Sequence, residues 1–185
     1  MSWESIPGWS SDIEVLHREK LAKELPQGAM YVEVGVLFGR SIACLGSLRP
    51  DLDLWAVDSW LETVDASPGA PFEEIGKQYK TTWEAFNGLM RAHAPEVMDR
   101  LHVIRANSTD VCLPEADIVF IDAAHDEENV RADIDHWIEG LKKGGLLSGH
   151  DLQSDYPGVQ AAVESFFPKW NKGPGEWSSV WWVQP

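Results

Sequence analysis

The chain of 185 residues contains little cysteine and no long hydrophobic run. Its two cysteines, Cys44 and Cys112, are too few and too far apart for a disulfide framework or a zinc knuckle, so we expect two buried, inert thiols. No stretch reaches the roughly 18 apolar residues that a membrane span needs, and the first residues lack a secretory pattern. These absences predict a cytoplasmic protein of one domain, residues 1–185.

Positive charge is also scarce, because 15 Lys and Arg residues stand against 30 Asp and Glu residues. The formal net charge of -15 creates a field that repels phosphate backbones and anionic lipid surfaces. We therefore expect neither nucleic acid nor a membrane as a partner.

Hydrophobic residues make up 44% of the chain and fall into short β-branched runs that alternate with amphipathic segments. Glycine, proline, asparagine or aspartate bounds these runs, which is typical of strand ends. The predicted strands are 29–36, 52–58, 100–107, 116–122 and 144–151. The predicted helices are 10–25, 39–48, 73–94, a helix with an apolar stripe from 130 to 141, and one that starts at 157.

This alternation predicts an α/β fold with a Rossmann-like, doubly wound, mostly parallel sheet and helices on both faces. The last 17 residues, 169–185, predict a C-terminal antiparallel hairpin, which makes the sheet seven-stranded. Residues 1–27 would form an N-terminal arm and helix. The segment 59–71 lacks periodicity and predicts a long mobile loop, and we interpret residues 59–80 as a lid. Dimerisation through the hairpin is a further hypothesis.

A glycine pattern follows the first predicted strand. In "VEVGVLFGRS", Glu33, Gly35, Gly39 and Ser41 form E-x-G-x-x-x-G-x-S, and glycine there lets the backbone turn tightly beside a ligand. Asp58 ends the next strand 23 residues after Gly35, near the offset at which an acid binds the two hydroxyls of a ribose. Together they indicate a nucleoside site. The alternative is that the glycines serve close packing and that Asp58 caps a turn.

The pattern lacks the G-x-G-x-x-G triplet of dinucleotide sites. It resembles instead the first motif of class I S-adenosylmethionine-dependent methyltransferases, and the resemblance extends to "WAVDSW", "RANSTD" and "VFIDAAHDEENVRADIDHWIEGLKKGGLLSGHD". The last block is the most specific, because it resembles metal-dependent sugar O-methyltransferases of the macrocin type and other small bacterial methyltransferases. The resemblance implies S-adenosylmethionine as cofactor and a small hydroxylated acceptor, a sugar or a phenol.

The resemblance also implies a set of cofactor-binding residues. The methionine end would be held by the glycine turn, the ribose by Asp58, and the adenine or sugar by residues that follow the second and third strands. The implied contacts are Glu33, Gly35, Phe38, Gly39, Ser41, Asp58, Ser59, Trp60, Asn107, Ser108 and Asp122.

Catalysis and metal binding are assigned to the ends of the fourth and fifth strands. The resemblance implies a divalent metal, magnesium or manganese, bound by Asp122, His150 and Asp151, and it makes His125 the base. The chemistry agrees, because a metal lowers the pKa of a coordinated hydroxyl and a histidine, with an ordinary pKa of about 6.5, can accept its proton. Imidazole suits manganese, iron or zinc better than magnesium. The alternatives are a helix cap at Asp122, a hydrogen-bonded strand-end His150 and a surface His125.

The chain contains ten tryptophans, which is many for its length. Trp3, Trp9, Trp60 and Trp83 lie in or near the N-terminal arm and the segment after the second strand. They could stack on a sugar or aromatic acceptor, or they could simply pack in the core. Trp181 and Trp182 are expected in the core or at a dimer surface.

Three functions are compatible with these patterns. We place an S-adenosylmethionine-dependent O-methyltransferase first. A nicotinamide-dependent oxidoreductase would need phosphate-binding glycines and a hydride-transfer pair that the sequence does not display. A non-catalytic S-adenosylmethionine-binding protein would not need the set of Asp122, His125 and Asp151.

Overall fold

The computed structural model describes residues 2–9, 14, 17, 20, 23–173 and 178–185. Five parallel strands and an antiparallel pair form one sheet in the order β3-β2-β1-β4-β5-β7-β6. The strands are β1 (Met30–Val34), β2 (Asp53–Asp58), β3 (His102–Arg105), β4 (Ala116–Ile121), β5 (Leu141–Gly149), β6 (Asn171–Lys172) and β7 (Trp181–Val183). The predicted seven-stranded, mostly parallel sheet with a C-terminal hairpin is confirmed.

Six helices surround the sheet within the described part of the chain. They are Arg40–Leu48, Glu73–Gln78, Thr82–His93, Pro95–Met98, Glu127–Glu139 and Pro157–Phe166. The predicted N-terminal helix is helical at its described positions, Glu14, His17, Lys20, Lys23 and Glu24, whereas its predicted cap, Ser11, lies outside the described residues. No described helix has the length and apolar character that crossing a membrane would require.

The core has two halves, one on each face of the sheet. All five residues of β1 are buried, and because side chains alternate along a strand, Tyr31 joins one half whereas Val32 and Val34 join the other. One half includes Phe38 and Phe86, and the second is built against the helices Glu127–Glu139 and Pro157–Phe166. Helices on both faces are therefore needed to cover a sheet that is apolar on both sides.

The single helix predicted over 73–94 is wrong, because the chain is extended at Tyr79 (ψ 139°) and a new helix begins at Thr82. Thr81 caps that helix by accepting a hydrogen bond from the amide of Glu84. The preceding loop pairs with this break, where the amide of Val64 donates to the carbonyl of Lys80 at 3.1 Å and Thr63 bridges Thr81. Loop pairing outweighs the local helical pattern. The lid role of residues 59–80 stays a prediction.

Two further expectations need correction. β5 begins at Leu141, three residues before the predicted start, so Leu141 is a strand residue and the preceding helix ends at Glu139. Pairing of Leu141 with Ala116 of β4 decides this boundary, which the helical stripe could not show. Cys44 is buried as expected, but Cys112 is exposed, because in the segment between β3 and β4 the neighbouring Val111 is the residue that packs into the core.

We predict that Gly46→Ala destabilises the protein although alanine favours helices by about 1 kcal/mol over glycine. A Cβ atom at Gly46 would lie 2.8 Å from side-chain atoms of Leu54 and Val97, and such overpacking costs about 1–3 kcal/mol. Chemical denaturation would measure the loss. The exposed neighbour Ser47→Ala is the control and should change the unfolding free energy by less than about 0.5 kcal/mol. A stabilised Gly46→Ala variant would contradict this packing.

Candidate active site

A cavity of about 1150 Å³ opens at the carboxyl ends of the parallel strands. This is the edge at which α/β sheets bind ligands. Most of the predicted site residues line it: Gly35, Phe38, Ser41, Asp58, Ser59, Asn107, Ser108, Asp122, His125, His150 and Asp151. Three predicted residues, Glu33, Gly39 and Trp60, do not line it.

The glycine turn after β1 requires both of its glycines. Gly35 and Gly39 have φ angles of 84° and 90°, which side chains rarely tolerate. A Cβ atom at Gly35 would lie 2.1 Å from the carbonyl oxygen of Asp122. Both glycines therefore serve close packing, and at Gly35 this packing also brings the turn beside Asp122, while the role of the turn in binding a nucleoside stays a prediction.

Glu33 is bonded to the helix that follows the turn. Its side chain is fully buried and accepts hydrogen bonds from the hydroxyl of Tyr31, at 3.0 Å, and from the hydroxyl of Ser41. Ser41, in the following helix, lines the cavity. Glu33 itself does not line the cavity, so in this structure its connection to the cavity runs through Ser41, and its contact with the cofactor stays a prediction.

Asp58, the last residue of β2, stabilises the turn by accepting hydrogen bonds from its backbone. Its Oδ2 atom accepts hydrogen bonds from the amides of Val36 (2.8 Å) and Leu37 (3.0 Å), and Oδ1 accepts one from the amide of Trp60 (2.7 Å). Leu37 and Trp60 both have positive φ angles, so the carboxylate stabilises two unfavourable conformations. Asp58 thus caps a turn as in the alternative. A carboxylate has about four acceptor positions, so three amides leave it able to bind a hydroxyl.

Trp60 is a core residue, and the prediction that its side chain lies near the ligand's sugar or adenine needs correction. The indole is 1% exposed, donates from Nε1 to the carbonyl of Leu37 at 2.8 Å, and packs against Trp83 and Phe86. The aromatic cluster is formed by tertiary contacts that the order of residues does not reveal. Trp9 differs, because it lines the cavity and is 68% exposed.

An acid that the sequence did not indicate lies beside Ser108. Asp133, from the helix Glu127–Glu139, is buried, lines the cavity and shares a hydrogen bond with the hydroxyl of Ser108. Burial raises the pKa of Asp133 above the ordinary 3.8, although the bond to Ser108 partly offsets this. Asp133 lies within the block that resembles methyltransferases, but no role was assigned to it there, and the packing of its helix is what places it beside Ser108.

The predicted metal ligands converge at the ends of β4 and β5. Ile121 pairs with Gly149, so the residues that follow each strand are neighbours. Nδ1 of His150 lies 3.5 Å from Oδ1 of Asp122 and 3.3 Å from Oδ2 of Asp151. Asp151 has a φ of 58°, which turns the chain sharply at this point.

The other nitrogen of His150 faces a carboxylate that sequence analysis missed. Nε2 lies 2.6 Å from Oε1 of Glu14, and the hydroxyl of Ser179 is 3.0 Å from the same nitrogen. Burial disfavours the imidazolium, but hydrogen bonds to Asp151 and Glu14 and the charge of Asp122 outweigh it and raise the pKa of His150 to about 10. Three carboxylates therefore favour a positive charge at their centre, either a proton on His150 or a metal ion.

His125 stands beside this cluster and lines the cavity. Its Nε2 atom lies 2.8 Å from Oδ2 of Asp151, and its ring stacks on Tyr156 with 4.2 Å between the ring centroids. Burial raises the pKa of Asp151, but hydrogen bonds and charges from His150 and His125 hold it below its ordinary value. Asp151 therefore stays a carboxylate that can orient both histidines.

The donor set fits a divalent cation. One ligand atom from each of Asp122, His150 and Asp151 lies within 4.8 Å of the others. The same three residues, together with His125 and apolar side chains such as Val159 and Trp181, line a second space of about 10 Å³. Two carboxylate oxygens and one imidazole nitrogen suit manganese, iron or zinc better than magnesium.

Comparison with known proteins identifies the family of the chain and similar folds. A family model described as a methyltransferase domain matches residues 32–152. CalS11, a TDP-rhamnose 3'-O-methyltransferase of calicheamicin biosynthesis, is 16% identical over 93% of this chain and 76% of its own, with a TM-score of 0.58. The cofactor-bound protein Rv0187 from MTB is 19% identical over 96% and 82%, with a TM-score of 0.63. The O-methyltransferase NovP is 12% identical over 93% and 79%, with a TM-score of 0.59.

No curated protein sequence matches the chain significantly. The family match nevertheless spans more than half of the chain and includes the glycine turn, Asp58, Asp122 and His150. The fold and the site define an S-adenosylmethionine-dependent methyltransferase of class I. The chain belongs to the methyltransferase domain family whose model it matches.

We predict that Asp133→Asn stabilises the protein at neutral pH. The raised pKa means that the folded state favours the protonated acid, so the stabilising contribution is complete below pH 3.8 and is lost as pH rises through the raised pKa. Asparagine stays neutral, and each 1 kcal/mol gained would raise Tm by about 2–4 °C. The gain should shrink as pH falls towards 4. Asp135→Asn, at an exposed position of the same helix, is the control, and an equal gain there would contradict the assignment.

Proposed function

We propose that the protein transfers the methyl group of S-adenosylmethionine to a hydroxyl of a small acceptor, a sugar or a phenol, with assistance from a divalent cation. The observation that carries this proposal is that His125, Asp122 and Asp151 face the same cavity as the glycine turn and Asp58. One space thus holds a nucleoside-binding edge and an acid–base pair.

The residues of the glycine turn would position the donor. The backbone from Gly35 to Phe38 and the hydroxyl of Ser41 border the methionine end, and the free acceptor position of Asp58 suits a ribose hydroxyl. Asn107 and Ser108 border the adenine end, where Asp133 adds a buried acceptor. Holding donor and acceptor in line is the main task in a direct displacement, because no covalent enzyme intermediate is required.

His125 would remove the proton. If Nε2–H donates to Asp151, Nδ1 is left to accept the proton of the acceptor hydroxyl, and the carboxylate stabilises the resulting imidazolium. The new C–O bond forms as the C–S bond breaks, and the electron pair remains on sulfur. Asp122, His150 and Asp151 would hold a cation that, when bound, makes a coordinated hydroxyl more acidic.

The acceptor would bind on the side formed by the N-terminal arm. Trp9 lines the cavity with Pro7 and Gly8, and its ring packs 4.5 Å from that of Phe72. An exposed indole at the mouth of a cavity suits stacking on a pyranose or a phenol. CalS11, whose acceptor is a TDP-linked rhamnose by its name, supports a sugar as one class to test.

We predict that S-adenosylhomocysteine binds the protein with micromolar affinity and that NAD does not bind. Asp58→Ala should weaken this binding by at least about tenfold, roughly 1.4 kcal/mol, because it removes both the ribose contact and the support of the turn. Isothermal titration calorimetry measures both. Asp53→Ala, at the exposed start of the same strand, is the control. Absence of any product binding to the wild-type protein would overturn the proposal.

We predict that His125→Gln lowers kcat by about 10²–10⁴, as expected for loss of a general base, while its affinity for S-adenosylhomocysteine changes by less than about twofold. The assay is formation of S-adenosylhomocysteine with free sugars, TDP-sugars and catechols, with manganese or magnesium present. His93→Gln is the control, because His93 does not line the cavity. Cofactor binding without turnover of any acceptor would favour the non-catalytic alternative.

Trp9→Ala should raise KM for the acceptor and leave kcat near that of the wild type, because Trp9 would stack on the acceptor and takes no part in the proposed proton transfer. Trp9→Phe should restore part of the affinity, since a phenyl ring can still stack. Steady-state kinetics with the best acceptor of the panel measures both variants. An unchanged KM in Trp9→Ala would place the acceptor elsewhere in the cavity.

A further inference from the structure

We propose that Glu14 is a positioning residue that aims Nδ1 of His150 at the metal site. The inference rests on the metal-assisted part of the proposed function, and it concerns a residue from the N-terminal segment, 136 positions away from the histidine. The matched family region begins at residue 32, so Glu14 lies outside it.

The two nitrogens of His150 have separate partners. Nε2 lies 2.6 Å from Oε1 of Glu14, whereas Nδ1 faces Asp122 and Asp151. If Nε2–H donates to Glu14 and Nδ1 is unprotonated, the lone pair available for a metal is that of Nδ1, on the side of the two carboxylates. The contact thus selects the nitrogen that binds.

Glu14 is itself held in place. Its side chain is 5% exposed, and the hydroxyl of Ser179 donates to the same Oε1 atom at 2.5 Å. Ser179 precedes β7 and also lies 3.0 Å from Nε2 of His150. Residues from the N-terminal segment, the end of β5 and the C-terminal segment therefore meet at one ring.

A carboxylate on the far nitrogen does two things for a histidine ligand. It fixes the orientation of the ring, and it makes the bound nitrogen a stronger donor. Loss of such an outer partner costs about 10–100-fold in metal affinity. Glu14 supplies a negative charge that a neutral imidazole lacks.

The same contact also fits a simpler role, in which Glu14 does no more than anchor the N-terminal helix to the sheet. The two roles differ in what they affect. Anchoring would change the stability of the protein and its affinity for every ligand of the cavity, whereas positioning changes the affinity for metal alone. Metal binding and S-adenosylhomocysteine binding must therefore be measured on the same variants.

The experiment uses the full chain, treated with EDTA and titrated with Mn²⁺ under electron paramagnetic resonance. We expect one bound Mn²⁺ whose spin-echo modulation shows a coordinated ¹⁴N, and loss of that modulation in His150→Gln. Glu14→Gln should weaken Mn²⁺ binding by about 10–100-fold and leave S-adenosylhomocysteine affinity unchanged. Glu24→Gln, exposed on the same N-terminal helix, is the matched control and should bind Mn²⁺ like the wild type.

Four results would overturn the proposal. They are Mn²⁺ binding in Glu14→Gln that equals the wild type, Mn²⁺ binding without a nitrogen signal, parallel loss of Mn²⁺ and S-adenosylhomocysteine in Glu14→Gln, and no Mn²⁺ binding to the wild type. In the last case, S-adenosylhomocysteine binding in the same preparation would leave the methyl-transfer proposal intact. Its absence would remove both.

Discussion

The final hydrogen bonds of the parallel ladder determine the site. The amide of Gly35 donates to Val57 at 2.9 Å, that of Asp122 to Val34 at 2.7 Å, and that of His150 to Ile121 at 3.0 Å. Each bond places the first residue beyond one strand against the end of its neighbour. The glycine turn, the acid and the histidine are therefore held in a row by backbone geometry before any side chain contributes.

Close approach at this edge is possible because of two local features. Gly35 has no side chain where it passes the carbonyl of Asp122, and Asp58 satisfies three amides of the turns that follow β1 and β2. The same carboxylate retains capacity for a ligand. The structural role and the proposed binding role of Asp58 are therefore compatible, and the two interpretations of this residue do not compete.

Negatively charged side chains surround the imidazole ring of His150. Glu14, Asp122 and Asp151 surround His150, and this arrangement is stable only with a positive charge inside it. A proton on His150 satisfies this requirement in the protein alone, and a divalent ion would satisfy it by a different route. Metal binding would then compete with protonation of His150, so the affinity for metal would rise with pH.

Much of the architecture could be predicted from the sequence, because short apolar strands bounded by glycine and aspartate report local preferences. The strand ends also reveal candidate ligands, since parallel strands bring their carboxyl ends together whatever lies between them. The break at Tyr79 and the start of β5 at Leu141 escaped prediction, because each depends on pairing with a distant segment.

The sequence by itself determined the alternation of strands and helices, the glycine turn and the acids and histidines at strand ends. Only the tertiary structure decided that Trp60 packs in the core, that Asp133 reaches Ser108 and that Glu14 reaches His150. The physical reason is that these contacts join segments with no fixed spacing between them. Their partners are selected by packing across the sheet and not by local pattern.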